Sequence, residues 1–185
     1  MSEVDRFSLV QRLLHWLLAL LVIPALGVGM TLGWLGFDGA RDAFGMEVTN
    51  ALYTGHKTIG VLILALMTLR LVLRLTLGAP PPVPTLTPFE RLASQAVHVL
   101  IYLVLLAQPI VGWLATAAGG YPVQFFAWTL PGLIAKDPAL SEQLFELHGL
   151  LGWALLALLA LHIGGALQHW LVKHDGVMRR MSLFR

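Results

Sequence analysis

The chain contains no cysteine. That excludes structural disulfides, thiolate-held iron–sulfur clusters and covalent attachment of a c-type haem, so any metal must rest on histidine, methionine or oxygen ligands. Charge is also scarce: Asp, Glu, Lys and Arg make up 12% of the 185 residues, against about 25% in soluble globular domains. The formal net charge is only +2, so its distribution matters more than its total, and no nucleic-acid partner is expected. A secretory leader is not expected either. The apolar run after Arg6 and Arg12 is too long for one, contains His15 and lacks a clear small-residue cleavage site.

What the chain does have is apolar sequence: 57% hydrophobic residues and a mean hydropathy of +0.77. One integral membrane domain spanning 1–185 is expected, an all-α four-helix bundle. The helices are read at about 10–35, 51–75, 88–118 and 141–172. Gly36, Gly39, Asp38 and Asp42 mark a polar exit from the first. The Pro-rich run from Gly78 to Pro88 is a linker, because proline cannot continue a helix. Thr87-Pro88-Phe89-Glu90 is a capping box with proline at the first helical position. The aromatic stretch 121–133, interrupted by Pro122 and Pro131, reads as an interfacial segment on the bilayer surface.

Four spans put both termini on one side. That side and the connection between helices two and three hold Arg6, Arg12, Arg70, Arg74, Arg91, Lys173, Arg179, Arg180 and Arg185. The other side holds Arg41, Lys57 and Lys136 against six acidic residues, Asp38, Asp42, Glu47, Asp137, Glu142 and Glu146. The excess of basic residues predicts cytoplasmic termini.

The run from Leu147 to Trp170 carries His148, His162 and His169 and no charged residue. At ~100° and ~1.5 Å per residue, His148 and His162 fall within roughly 40° of each other and ~21 Å apart along one helix. They are too far apart to serve one ion. Ionisable groups inside a membrane helix mark function by default. His56 begins helix two on the outer side with His148, whereas His15, His98, His162 and His169 lie on the inner side. The plain alternative for each is an interhelical hydrogen bond. Imidazoles at two depths on several helices suit two b-type haems, each iron taking two axial histidines from facing helices. Zinc fits less well, because a closed site needs four ligands in one place. Depth counting leaves His15–His162, His98–His162 and His15–His169 open as the inner pair. Gly55, Gly60, Gly149, Gly152, Gly164 and Gly165 accompany the histidines and would leave room for a flat macrocycle, although small residues also serve ordinary membrane helix packing.

These residues resemble the bacterial cytochrome b561 family, and also the cytochrome b subunits of hydrogenases and formate dehydrogenases. The likeness is carried by His15-Trp16, His56 with Gly60, Arg70 to Arg74, the proline-rich linker, His98 with Tyr102, and the fourteen-residue spacing of His148 and His162 followed by His169. The resemblance implies two haem b groups, with His56 and His148 ligating the outer iron and His15 and His162 the inner. It implies electron transfer between a periplasmic one-electron donor, superoxide in some members, and ubiquinone in the membrane. His98 and His169 are candidates to hydrogen-bond the quinone. Arg70 and Arg74 could meet the quinone or a haem propionate, or simply snorkel to the lipid headgroups. The acidic excess outside argues against steering an anion there, unless Lys57 and Arg41 make a local positive spot. Two further readings are a haem-bearing anchor subunit relaying electrons from a partner dehydrogenase or hydrogenase, and a transporter or proton channel whose histidines line a water path.

Overall fold

A computed structural model describes residues 6–184; Arg185, counted above with the basic side, lies outside them. Four long helices run α1 (Leu9–Phe44), α2 (Met46–Leu77), α3 (Pro88–Ala118) and α4 (Pro138–Gln168). Each is long and apolar enough to cross a membrane, with mean hydropathy of 2.0 to 2.1 over its best stretch. Large apolar side chains such as Leu20, Leu75, Val99 and Leu161 point outward, as they must where the surrounding solvent is hydrocarbon. The core is a narrow seam of Leu14, Leu18, Val22 and Ala25 from α1, Ile63 and Met67 from α2, Leu105 from α3 and Leu155 from α4. The α1 members recur every three or four residues, which is one stripe of a helix.

Helix starts follow the local chemistry. Ser8 caps α1 in a reciprocal box with Gln11, and Thr87 does the same for α3 with Glu90. α4 begins at Pro138, three residues before the expected start, with Asp137 accepting the Leu140 amide. Asp137-Pro138 repeats the signal of Thr87-Pro88, a capping side chain followed by proline at the first helical position. α1 outruns its expected end by nine residues. Gly36, at φ 66°, breaks the ladder, and the helix re-forms beyond it with Arg41 paired to Asp38 at 2.8 Å and to Asp42 at 3.0 Å. Gly45, at φ 80°, then turns the chain directly into α2.

The 121–133 stretch contains a β-hairpin. β1 (Val123–Phe125) pairs antiparallel with β2 (Trp128–Leu130), Gln124 facing Thr129. The sequence hides it because the two prolines suggest only interruption, yet they flank the strands rather than enter them. The hairpin is tied to α2 by Thr54 to the Gln124 side chain at 3.0 Å and by Lys57 Nζ to the Pro122 carbonyl at 3.0 Å. Trp113 Nε1 of α3 donates to the Pro131 carbonyl.

At the opposite end the first and last described stretches of the chain meet. Phe7 N–H donates to the Arg180 carbonyl, Arg12 to Ser182 and Trp16 Nε1 to Met181. After Gln168 the chain passes through a π-helical turn (His169–Lys173) and a 3-10 turn (Met178–Arg180). Lys173 pairs with Glu90 at the start of α3.

Candidate functional site

At the hairpin end, His56 of α2 faces His148 of α4, ring centres 6.1 Å apart and planes at 85°. Two imidazoles that bind one metal ion from opposite sides, each nitrogen about 2 Å from it, have ring centres roughly 6 Å apart. His148 Nδ1 donates to the Gln108 carbonyl at 3.1 Å. A carbonyl can only accept, so this nitrogen carries the proton and Nε2 keeps the lone pair a metal needs. His56 faces the Ala25 carbonyl, but its buried Nδ1 finds no acceptor at hydrogen-bonding geometry.

Each ring rests on a glycine of the neighbouring helix. A Cβ on Gly29 of α1 would lie 2.7 Å from His56 Cε1, and one on Gly112 of α3 would lie 2.8 Å from His148 Cε1. Neither distance is compatible with a methyl group, so glycine is required for the rings to sit where they do. Both imidazoles line a cavity of about 310 Å³, together with Gly33, Gly60, Gly149, Gly152 and apolar side chains of all four helices. A Cβ on Gly33, Gly60 or Gly149 would meet no protein atom. The volume falls in the range of small-molecule and cofactor sites, about 300–1,000 Å³.

At the terminal end, His162 of α4 stands between two other imidazoles. His15 of α1 lies 6.1 Å away at 74°, and His98 of α3 lies 5.1 Å away at 79°. His98 Nδ1 donates to the Ser94 carbonyl at 2.6 Å, and the residue remains exposed. Arg70 of α2 is within electrostatic reach of all three. Its Nη1 donates to the Gln11 carbonyl at 3.0 Å and its guanidinium lies 6.0 Å from the Tyr102 ring centre. Arg74 turns instead toward Phe7, 5.5 Å from that ring centre. His169 does not join the group through a ring contact. Its Nδ1 is held 2.6 Å from Asp175, with side chains 13% and 4% exposed. Among the described residues no three His, Asp or Glu side chains converge on one ion, which a closed zinc site requires. A second, more open recess of about 440 Å³ between Arg6–Gln11 and Leu77–Pro80 contains no histidine.

The profile of the prokaryotic cytochrome b561 family matches residues 6–182. The chain belongs to the prokaryotic cytochrome b561 family. It is similar to "Cytochrome b561 homolog 2" of Escherichia coli (strain K12), 30% identical over 96% of this chain and 91% of that one. "Cytochrome b561 homolog 1" of the same organism is 26% identical over 96% and 97%. "Probable superoxide oxidase CybB" of Yersinia pestis is 29% identical over 95% of each chain. As a cytochrome b561 relative, the chain is a multi-pass bacterial membrane haem protein of electron transfer, and haem b is its cofactor.

The residues of this cytochrome fit that group. A cavity floored by glycine, two imidazoles a metal's width apart and a ring nitrogen kept as lone pair are what a non-covalent haem needs. At the terminal end, the buried Nε of Arg12, one turn before His15, has no acceptor, which suits a carboxylate. Gly29, Gly112 and Gln108 were not singled out from the sequence, and Arg12 was read there only as part of the basic side. The one available signal was that Gly112 is the sole glycine of α3, sitting in a run of bulky residues.

Proposed function

We propose that this protein is a di-haem electron carrier of the bacterial inner membrane, taking single electrons from a donor at the hairpin end and delivering them to ubiquinone at the terminal end. His56 and His148 would hold one haem, and His15 and His162 the other. The observation that carries the reading is that α4 supplies one histidine to each of two pairs with the same 6.1 Å ring spacing. His98 is 5.1 Å from His162, which leaves less room for an iron between them and supports His15 as the partner of His162. When bound, each haem supplies a reversible one-electron centre.

The chain's own residues set the conditions. Burial, the Nδ1–H hydrogen bond of His148 and the charge of Arg70 near the terminal-end group tune the two sites apart. Arg12 and Arg70 would meet haem carboxylates. His98, exposed beside His162 and with Nε2 free of its Ser94 bond, would donate or relay protons, because reducing ubiquinone to ubiquinol takes two electrons and two protons. The basic termini and the α2–α3 connection support placing that end in the cytoplasm.

Superoxide is the donor to test first, because a relative of similar length is named for its oxidation. Two superoxide anions would give two molecules of dioxygen and the two electrons. Local charge is mixed: Arg41 is matched by Asp38 and Asp42, whereas Lys57, beside His56, donates to the neutral Pro122 carbonyl and keeps its charge. The purified protein is expected to be red, with two haem b per chain and two redox steps, and to reduce ubiquinone when superoxide is generated. Two haems without superoxide reactivity would move the donor to a partner protein. A colourless protein would overturn the proposal.

A further inference from the structure

We infer that Gln108 of α3 is the positioning residue for the hairpin-end iron ligand, holding His148 at two points across the helix interface; this rests on His148 being an axial ligand. The Gln108 backbone carbonyl accepts from His148 Nδ1 at 3.1 Å, while the Gln108 side-chain Nε2 donates to the His148 backbone carbonyl at 2.9 Å. The two residues thus exchange hydrogen bonds, each using one backbone and one side-chain group. The amide orientation follows from its partner: a backbone carbonyl has no proton to give, so the nitrogen must face it. The amide oxygen is buried without a donor, and the side chain borders the cavity.

Three features make this pair a positioning device rather than ordinary helix packing. The His148 carbonyl already lies inside α4, where Gly152 is its intrahelical donor by position, so the Gln108 bond is additional. A Cβ at Gly152 would meet Gln108 Nε2 only at ordinary van der Waals contact, 3.6 Å, so this bond does not depend on the glycine. Pro109, next in sequence, has no N–H, so the Leu105 carbonyl loses its helical partner and α3 is loosened at this level. The Gln108 carbonyl, whose intrahelical donor by position is Gly112, accepts from the ring with its second lone pair. Gly112 closes the seat from behind. With position and tautomer both set, the strength of the Nδ1–H bond becomes a control on ligand basicity. A stronger bond gives the imidazole more anionic character and favours the ferric state.

The test is Gln108→Met, which keeps the volume and removes the donor, with Gln108→Asn as a second variant too short to reach His148. His148→Ala serves as a single-haem reference that identifies the terminal-end couple. In membrane-extracted protein, both Gln108 variants are expected to keep two haems, with the hairpin-end couple shifting about tenfold toward the ferrous state, about 59 mV for one electron. The low-spin ferric electron paramagnetic resonance signal of that haem, which reports the angle between ligand rings, should change with it, and the terminal-end couple should not. Loss of the hairpin-end haem alone would be the same result in stronger form. Unchanged potential and spectrum in both variants, or equal disturbance of both haems, would overturn the role of Gln108. Two haems surviving in His148→Ala would instead overturn the ligand assignment on which it rests.

Discussion

The two ends of the bundle solve different problems with the same side chain. At the hairpin end there are two imidazoles, each seated on a glycine and both bordering a cavity of about 310 Å³. At the terminal end three imidazoles and an arginine come together, one of the imidazoles exposed, and Gly164 and Gly165 of α4 press on no ring. The first arrangement has the paired imidazoles and the space that one flat, rigid group would need. The second has an imidazole to spare next to a paired one, which is what a site needs when protons must reach a mobile partner. On the proposed function, electrons would enter at the hairpin end and leave where acid–base groups are in surplus.

The strongest way to break the comparison is to remove the α4 ligands one at a time. His148→Ala is expected to lose the hairpin-end haem and His162→Ala the terminal-end haem, each leaving one haem per chain by pyridine haemochrome assay. If either variant kept both, the pairing would be wrong at that end. Next in size is His98→Gln. It should retain two haems yet slow ubiquinone reduction by about 10²-fold, the usual scale of a lost proton-transfer group; steady-state turnover with a chemical reductant measures it. Loss of the terminal-end haem in this variant, together with its survival in His15→Ala, would exchange the roles of the two residues.

Smaller effects sharpen the packing side. Gly112→Ala should destabilise the loaded protein by about 1–3 kcal/mol, the cost of forcing a methyl group into a filled site. Haem loss on heating should begin at the hairpin end, and Gly149→Ala, where a Cβ meets no protein atom, serves as the comparison. Smallest is Asp175→Asn. It leaves His169 with a weaker acceptor, for a cost of about 1 kcal/mol, read as earlier unfolding of the chain's C-terminal turn by hydrogen exchange, with both haems retained.

Much of this was legible beforehand for a physical reason: membrane helices advertise themselves. Four apolar runs, the Thr87 capping box and the prolines of the linker follow from composition and local propensity alone, and α3 runs from Pro88 to Ala118 as expected. The π-helical turn after Gln168 and the hairpin at Val123–Leu130 were not legible. Both depend on what packs against them, and the strands are too short and too interrupted to carry a periodicity of their own.

By itself the sequence determined that the chain lives in a membrane, that its metal chemistry must do without thiolate, and that α4 offers imidazoles about four helical turns apart. Those statements need only the absence of cysteine, the scarcity of charge and the pitch of a helix. Which helix faces α4 at each level was decided by tertiary structure. Relative rotation and tilt depend on side chains from different helices meeting in three dimensions: Gly29 under His56, Gly112 under His148, and Gln108 bonded to the backbone of His148. No spacing along one chain segment encodes such contacts, because each joins residues from separate helices whose register is set only when the bundle packs.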